Sequence, residues 1–402
     1  MGKHHRPSTS WYNLSGPPTA RCIIWPPVAA SMNRREFHLS ILKLSATGLF
    51  APSLLANQHA QASFEIASLY KNTIVMDSLC SPFVDLESLP SPEQVAIVRQ
   101  SGISAVNCTV EGSDFAGAVR SLASLEALVE KYSDAFAIVR KHADIARAKG
   151  EDKVGIILGF QQTTFLEASP DRIEMFRRLG VRIMQITYNT RNAFGDGCLE
   201  PGNAGLSNAG ITAVKEMNQN GVAVDLSHSG YRTTSEAILA SSQPVLISHA
   251  GCAAVYPHPR NKPDEVLRSL ADRGGYFGVY LMPYLVASPT VPTRQHVLSH
   301  LVHAINVCGA DHVGVGSDGS IQAIVLTSAQ RAEFDADIAR RKKLGIGAPG
   351  EDRYPFVPDL NGPDHMQIIA AELARSGQPA SVIEKVLGTN FQRVLGEIWG
   401  AT

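Results

Sequence analysis

The strongest chemical signal in the 402-residue sequence is a pair of histidines, His228 and His249, that end consecutive short apolar runs. Asp318 ends a later run of the same kind. Neutral imidazoles held by rigid strands are good ligands for zinc or a similar divalent ion. A carboxylate beside them can bind the same ion or act as a base toward water. The pattern therefore predicts a metal or active site that contains His228, His249 and Asp318.

Two more polar residues, Gln161 and Tyr188, also close apolar runs. In α/β barrels the active site lies at the carboxyl-terminal ends of the strands, so these positions are candidates for the same site. The five residues belong to five different predicted strands. Only closure of the sheet into a barrel would bring them together.

Eight short apolar or β-branched runs recur after residue 63, with helical patterns such as Leu122–Ala148 and Ser207–Asn220 between most of them. This alternation predicts a parallel sheet covered by helices. Eight units in about 250 residues favour a TIM-like (β/α)8 barrel, with a doubly wound open sheet as the rival fold. No glycine-rich nucleotide motif supports that rival. The predicted strands are Thr73–Leu79, Ser104–Val110, Val154–Gln161, Ile183–Tyr188, Ala223–His228, Val245–His249, Tyr276–Met282 and His312–Asp318.

Beyond Ser320 the alternation of strands and helices stops. Ser328–Lys343 and Asp364–Trp399 are predicted to form helices with connecting loops. Val382–Ile398 carries apolar residues at helical spacing, which predicts packing against the barrel as its last layer. The predicted fold class is α/β, a TIM-like barrel with C-terminal helices.

The formal net charge of −1 conceals an uneven distribution of charge. Residues 1–62 hold six of the 36 basic and one of the 37 acidic residues, which leaves 30 basic and 36 acidic residues in the remainder. A body with this acidic surplus lacks the basic surface that nucleic-acid binding requires. The sequence therefore predicts a small-molecule partner and no nucleic-acid partner.

The N-terminal region has the pattern of an export signal. The segment Asn33–Leu39, with adjacent Arg34 and Arg35, resembles the twin-arginine signature, and an apolar run and the small-x-small pattern Ala60–Ala62 follow it. An amphipathic N-terminal helix is the alternative interpretation. We expect residues 1–62 to be an extension with a twin-arginine signal peptide and residues 63–402 to be the barrel domain. The predicted location is periplasmic or secreted.

Several motifs together resemble the membrane (renal-type) dipeptidase family of metallopeptidases, within the amidohydrolase-type barrels. The resemblance covers most of the chain after the leader. It implies a TIM-like barrel, often homodimeric, that hydrolyses dipeptides with two bridged zinc ions. It also implies that Arg260 binds the carboxylate of the substrate, a task that suits a guanidinium fork. The motifs are 225–228 (DLSH), 248–249 (SH), 260–264 (RNKPD), 312–318 (HVGVGSD) and 387–395 (LGTNFQRVL).

The sequence also departs from the family pattern at the metal site. Leu79 and Ser81 stand where the family has a His-x-Asp pair, and Gln161 or its neighbour Gln162 replaces the bridging glutamate. Tyr188 replaces the family histidine that contacts the substrate, so Tyr188 becomes the predicted substrate contact. After Asp318 the family's Phe-Asp-Gly becomes Gly-Ser-Ile in this sequence.

These replacements predict one divalent ion rather than two. A neutral amide lacks the negative charge that holds two cations close together. The predicted ligands of zinc, or of another divalent metal, are His228, His249 and Gln161, with Asp318 as the catalytic carboxylate. Two ions would require Asp77 or Cys80 to turn toward the site, and strand alternation predicts that Cys80 faces away from the barrel lumen.

Two functions remain compatible with the sequence. The first is a metal-dependent hydrolase acting on a dipeptide or a related small amide with a carboxylate. The second is a periplasmic maturation or binding factor, for example in secondary-metabolite or siderophore maturation, that uses a degenerate dipeptidase pocket. For either function the predicted partners are the twin-arginine export machinery and a second copy of the chain.

Replacement of Arg34 and Arg35 by lysine tests the predicted export route. We expect the double variant to stay in the cytoplasm, because the twin-arginine signature is read as an address rather than as a charge. Cell fractionation followed by immunoblotting measures this, with a variant carrying Arg6→Lys and Arg21→Lys as the matched control. Undiminished export of the Arg34/Arg35 variant would contradict the prediction.

Overall fold

The computed structural model of the protein describes residues 65–400, except Glu87, Glu111 and Ser113. The predicted leader, residues 1–62, lies outside the described residues. Residues 65–72 are helical and precede the first strand. Within the described part of the chain, no helix is long and apolar enough to cross a membrane.

Eight parallel strands form the central sheet, and each pairs with the next one along the chain. This order is that of a (β/α)8 barrel. Most strand residues are buried because helices cover one face of the sheet and the barrel interior covers the other. The eight predicted strands are confirmed, although most end earlier than predicted. They are β1 Met76–Asp77, β2 Ala105–Thr109, β3 Val154–Phe160, β4 Val181–Gln185, β5 Ala223–Asp225, β6 Leu246–Ala250, β7 Tyr276–Val279 and β8 Val313–Val315.

The sheet closes between its first and last strands just beyond their carboxyl-terminal ends. The Ser78 N–H donates to the Val315 carbonyl at 2.9 Å. Further along, Cys80–Ser81 pairs in parallel with Gly319–Ser320. The closure therefore confirms a nearly closed barrel and places the ends of β1 and β8 side by side.

Helices follow most strands and form the outer layer of the barrel. Ser207 caps α5, where its Oγ accepts from the Gly210 N–H at 3.0 Å. The helix predicted over Ser328–Lys343 is confirmed at both ends. The helices are α1 Pro92–Gln100, α2 Phe115–Lys131, α3 Ala143–Gly150, α4 Arg172–Arg178, α5 Asn208–Gln219, α6 Tyr231–Ala240, α7 Asp264–Asp272, α8 Arg294–Cys308, α9 Ser328–Lys343, α10 His365–Arg375, α11 Ala380–Glu384 and α12 Asn390–Trp399.

The continuous helical pattern predicted over Leu122–Ala148 is wrong in its middle. Helix α2 ends before Tyr132, and Phe136–Ile138 forms a short strand that pairs in parallel with the first half of β3. Phe136 is buried, and its ring packs edge-on against Phe83 at 5.7 Å. A sheet edge and an aromatic partner distant in sequence therefore override the local helical spacing.

The amino-terminal end of the barrel is filled by apolar side chains and closed by α12. Phe391 on α12 lies 5.0 Å from the Tyr276 ring on β7, and Met76 and Leu246 belong to the same buried cluster. This packing matches the last layer that the apolar spacing of the C-terminal segment predicted. The amino-terminal end of the barrel is thus a hydrophobic core, which leaves the opposite end for polar chemistry.

Two glycines allow the chain to approach closely at the centre of the barrel. Ser78 Oγ donates to the Ser248 carbonyl at 2.6 Å, directly across the lumen. A Cβ atom on either Gly278 or Gly316 would lie 2.0 Å from that carbonyl oxygen. Larger residues at these two positions would therefore separate the strands that carry the candidate site.

Gly316→Ala tests this close approach. We expect the variant to lose about 1–3 kcal/mol of the free energy of unfolding, because the added methyl group meets backbone rather than a flexible side chain. Gly319→Ala is the matched control, since its nearest non-neighbouring atom would be 3.9 Å away and the expected change is within about 0.5 kcal/mol. Urea unfolding followed by circular dichroism measures both, and equal midpoints for the two variants would contradict the packing argument.

Candidate metal and substrate site

The predicted site residues gather at the carboxyl-terminal end of the barrel. His249 lies within β6, while His228 and Asp318 each follow the last residue of a strand by three positions. One ligand atom from each of these three residues lies within 4.8 Å of the other two. Gln161, directly after β3, and Tyr188, shortly after β4, contact the same cluster. Barrel closure therefore brings together the five residues that the sequence placed on separate strands.

A buried carboxylate orients His249. Asp225 Oδ2 accepts a hydrogen bond from Ser248 Oγ at 2.5 Å, so Ser248 Oγ in turn accepts from His249 Nδ1 at 2.8 Å. With its proton on Nδ1, the imidazole directs an unprotonated Nε2 toward the cluster. Carboxylates that hold a histidine in this way are typical partners of metal-binding imidazoles.

His228 is oriented by an amide. Its Nδ1 lies 2.7 Å from Oδ1 of Asn189, an acceptor, so Nδ1 carries the proton. The remaining nitrogen, Nε2, is buried and has no hydrogen-bond partner. The Tyr188 ring stacks on the imidazole at 4.1 Å. A buried, unpartnered imidazole nitrogen is what a metal ligand presents before it binds an ion, so this residue fits the metal that the sequence predicts.

Both imidazoles are held in the neutral form that binds metal. Burial lowers the pKa of His228 and of His249 well below the usual range, and the positive charge of Arg260 adds to the effect. Burial also raises the pKa of Asp318 to about 6, although Arg260 and a hydrogen bond from Gln161 act in the opposite direction. Asp318 has a backbone φ of 56°, a left-handed conformation that few non-glycine residues adopt.

Gln161 presents its amide nitrogen to the cluster. Nε2 lies 3.2 Å from Asp318 Oδ1 and 3.3 Å from His249 Nε2. The sequence analysis assigned Gln161 as an oxygen ligand, which requires the opposite orientation of the amide. In the orientation described here, Gln161 holds Asp318 in place, and its role as a metal ligand stays a prediction.

The end of the first strand does not complete a second metal site. Asp77 is turned away, because its Oδ1 accepts from the Ser317 N–H at 2.9 Å and its Oδ2 lies 3.2 Å from His365 Nε2. Among the described residues, His228, His249 and Asp318 form the only group of three or more His, Cys, Asp or Glu side chains placed to hold a metal ion.

Cys80 is buried among apolar core residues and is also in the lining of the cavity of about 510 Å³ that Leu79 and Ser81 line. Its orientation away from the lumen stays a prediction. The backbone bends at Ser78 and Leu79, so the alternation of an extended strand does not continue through these residues. Burial raises the pKa of its thiol well above the usual range, which keeps the sulfur protonated and a poor ligand.

Arg260 presents a buried cation, which lies over the Tyr280 ring, to the site. Its side chain is buried, Nη1 donates to the Ser227 carbonyl at 2.7 Å, and Nη2 has no partner. A second cavity of about 210 Å³ is lined by Arg260, Tyr188, His228 and Asp318. A buried guanidinium with a free donor is suited to bind a carboxylate in this cavity.

Helix α9 covers the cavity that contains Arg260, and the sequence analysis did not assign it to the site. Phe334, Ile338 and Arg341 on α9 line the cavity. Arg341 hydrogen-bonds Tyr188 and forms a 2.6 Å ion pair with Glu351. No residue of α9 is buried, and its largely charged sequence offered no signal of a place at the site.

Comparison with known proteins identifies related dipeptidases. The family model for membrane dipeptidase (Peptidase family M19) matches residues 106–332. Dipeptidase verJ of Clonostachys rogersoniana is 30% identical over 279 residues, which are 68% of this chain and 63% of that protein. Dipeptidase tcpJ of Claviceps purpurea is 30% identical over 305 residues, 73% of this chain and 64% of that protein. The match thus spans just under two thirds of the length of these curated relatives.

Solved structures share the fold. An amidohydrolase from Pseudomonas aeruginosa is 32% identical, with a TM-score of 0.73 over 83% of this chain and 99% of that chain. A metallo peptidase from Rhodobacter sphaeroides, solved with a phosphinate mimic of the dipeptide L-Ala-D-Ala, has a TM-score of 0.67 at 18% identity, over 82% of this chain and 100% of that chain. Since the family model covers more than half of the sequence, the chain belongs to the membrane dipeptidase family, Peptidase family M19.

Proposed function

We propose that the protein is a metal-dependent hydrolase that cleaves a dipeptide or a related small amide with a free carboxylate. One observation carries the proposal: His228 Nε2 and Arg260 Nη2 are both buried without a partner, and both residues line the cavity that contains Asp318. The first atom suits a metal and the second suits a carboxylate. Relatives named dipeptidases, and the family's metal dependence, support the same reaction class.

His228 and His249 would hold the ion, with the Gln161 amide oxygen as a further donor once the amide is turned toward the cluster, and Asp318 would serve as the catalytic carboxylate. The proposed ion is zinc or another divalent metal, and we expect one ion per chain because Leu79 and Ser81 offer no strong ligand. When bound, a divalent ion supplies Lewis acidity that polarises the scissile carbonyl and lowers the pKa of water.

The chain's own residues then position the substrate and move protons. Arg260 fixes the substrate carboxylate through Nη2, while its Nη1 stays anchored on the Ser227 carbonyl. Asp318 accepts a proton from the attacking water on its carboxylate and passes it to the departing amine. A carboxyl group whose pKa is raised to about 6 is suited to both halves of that transfer near neutral pH. Helix α9 limits the access of bulk water to this cavity.

A maturation or binding factor is the second candidate function. It is favoured by the neutral side chains of Leu79 and Ser81, which line the cavity where the family pattern has metal ligands. The two candidates differ in a measurable way. A hydrolase releases amine from an amide substrate, whereas a binding factor retains the intact molecule.

We also propose that the protein is exported by the twin-arginine route to the periplasm or beyond and works there as a homodimer. The support is the leader pattern around Arg34 and Arg35, together with the family resemblance. Folded export would allow the metal to be inserted before the protein leaves the cytoplasm.

His228→Ala and His249→Ala test the metal site. We expect the wild type to hold about one divalent ion per chain and each variant to hold almost none, because each loses one of two strong ligands. Elemental analysis by mass spectrometry measures this, with circular dichroism as the test of folding. His303→Ala is the matched control, since that imidazole bonds Asp264 outside the site and its removal leaves metal content unchanged. Two tightly held ions in the wild type would overturn the one-ion assignment.

Arg260→Lys tests the substrate assignment. We expect KM for alanyl-alanine to rise about 10- to 100-fold with a smaller change in kcat, because a point charge replaces a guanidinium fork. The matched substrate is alanyl-alaninamide, which lacks the carboxylate. The wild type should have a much lower KM for alanyl-alanine than for alanyl-alaninamide, and in the variant this difference in KM should be small. If neither compound and no N-acylated amino acid releases an amine at any metal loading, the hydrolase assignment fails and the binding-factor assignment stands.

A further inference from the structure

The cavity that Leu79 and Ser81 line has no role in the function proposed above. Its volume is about 510 Å³, and its lining includes Leu79, Ser81, Thr109, Gln161 and Asp318. Asp318 also lines the cavity that contains Arg260. The two cavities therefore meet at the carboxylate next to which the amide bond would be cleaved.

The deep wall of this cavity is neutral. Leu79 is buried, Leu86 packs against the core, and Ser81 and Thr109 add only hydroxyl groups. Apart from Asp318, the carboxylate in the described lining belongs to Asp85, an exposed residue whose Oδ1 accepts from the Ser88 N–H at 3.3 Å. Among the described residues, no carboxylate other than Asp318 and the exposed Asp85 lines this cavity.

Two exposed residues of this lining, Val84 and Asp85, lie where the cavity meets solvent, and Val84 is 48% exposed. The inner side is held firmly, because Cys80–Ser81 and Gly319–Ser320 pair across the closure of the barrel. A flexible apolar chain could therefore enter past Val84 and lie against a wall of fixed shape.

The direction of the substrate follows from the two cavities. A carboxylate bound to Arg260 places the amine side of the amide in the cavity of about 210 Å³. The carbonyl side then extends past Asp318 into the larger cavity. In a free dipeptide the carbon next to the carbonyl carries an ammonium group, which must lose its hydration there, and pairing with Asp318 would occupy the carboxylate that the proposed reaction needs for the water proton. In an N-acylated amino acid the same side is a neutral hydrocarbon chain.

We propose that this larger cavity, here named the acyl cavity, binds the apolar acyl group of an N-acylated amino acid. The inference rests on the proposed hydrolase function and specifies its substrate class. Hydrolysis adds the water oxygen to the acyl carbonyl carbon and breaks the C–N bond. The products are a carboxylic acid and a free amino acid, whose amine takes up the proton.

Binding of N-acylated alanines of increasing length, from acetyl to octanoyl, tests the acyl cavity by isothermal titration calorimetry. Each buried methylene should tighten Kd by about two- to fourfold. A sharper comparison uses N-octanoyl-alanine and 2-aminooctanoyl-alanine, which differ only in the α-ammonium group. We expect the octanoyl compound to bind at least tenfold more tightly. Equal affinity of the two compounds, or a Kd that does not change with chain length, would overturn the proposal.

Two variants locate the bound chain. Ser81→Phe fills the acyl cavity and should weaken N-octanoyl-alanine at least tenfold while leaving N-acetyl-alanine within twofold. Val84→Asp changes only the exposed opening and should make Kd depend less on acyl chain length. This variant tests the acyl cavity if Ser81→Phe does not fold. Leu89→Asp is the matched control, because Leu89 is a 60% exposed apolar residue that lines neither cavity. Unchanged affinities in both test variants would place the acyl chain elsewhere and overturn the proposal.

Arg260→Lys separates this inference from the function on which it rests. The variant should weaken every acyl length by the same factor and preserve the slope with chain length. A preserved slope without any effect of Arg260→Lys would support the acyl cavity and overturn the carboxylate assignment. Weaker binding in Arg260→Lys, with a Kd that does not change with chain length, would support the carboxylate assignment and overturn the acyl cavity.

Discussion

The site depends on one buried carboxylate at the centre of the barrel, Asp225. Its Oδ1 accepts from Ser227 Oγ at 2.6 Å and from the Ser248 N–H at 3.1 Å, while its Oδ2 accepts from Ser248 Oγ. Ser248 then orients His249, and the Ser227 carbonyl anchors Arg260. A charge buried this deeply is tolerated only when hydrogen bonds satisfy it, so β5 and β6 must remain in register. One carboxylate thereby positions a metal ligand and the cation that would bind substrate.

Closure of the barrel has a different consequence at the other side of the site. The family pattern places metal ligands after the first strand, where this chain has Leu79 and Ser81. The backbone here still pairs with the end of β8, so the strand end keeps its place although its ligands are gone. The result is a neutral cavity beside Asp318 rather than a second cation site. Without metal ligands at this position, the strand end leaves space that an apolar group can occupy.

The two cavities differ in charge. Charged residues of both signs line the cavity that contains Arg260, where Arg341 is paired with Glu351, whereas Asp318 and the exposed Asp85 are the charged residues in the described lining of the acyl cavity. Between them, Asp318 has its pKa raised to about 6 by burial. Such an arrangement distinguishes the two ends of a substrate by charge. It suits a molecule with a carboxylate at one end and hydrocarbon at the other.

Local sequence patterns determined the eight strands and the strand-end residues His228, His249 and Asp318, because apolar runs and their termini are local properties. The tertiary structure alone decided which polar groups are satisfied. Asp77 is withdrawn from the site by Ser317 and His365, which lie 240 and 288 residues away in the sequence. Arg260 keeps one donor free because only Nη1 reaches Ser227. These outcomes depend on contacts that form only when the barrel closes, and no pattern within a single strand records them.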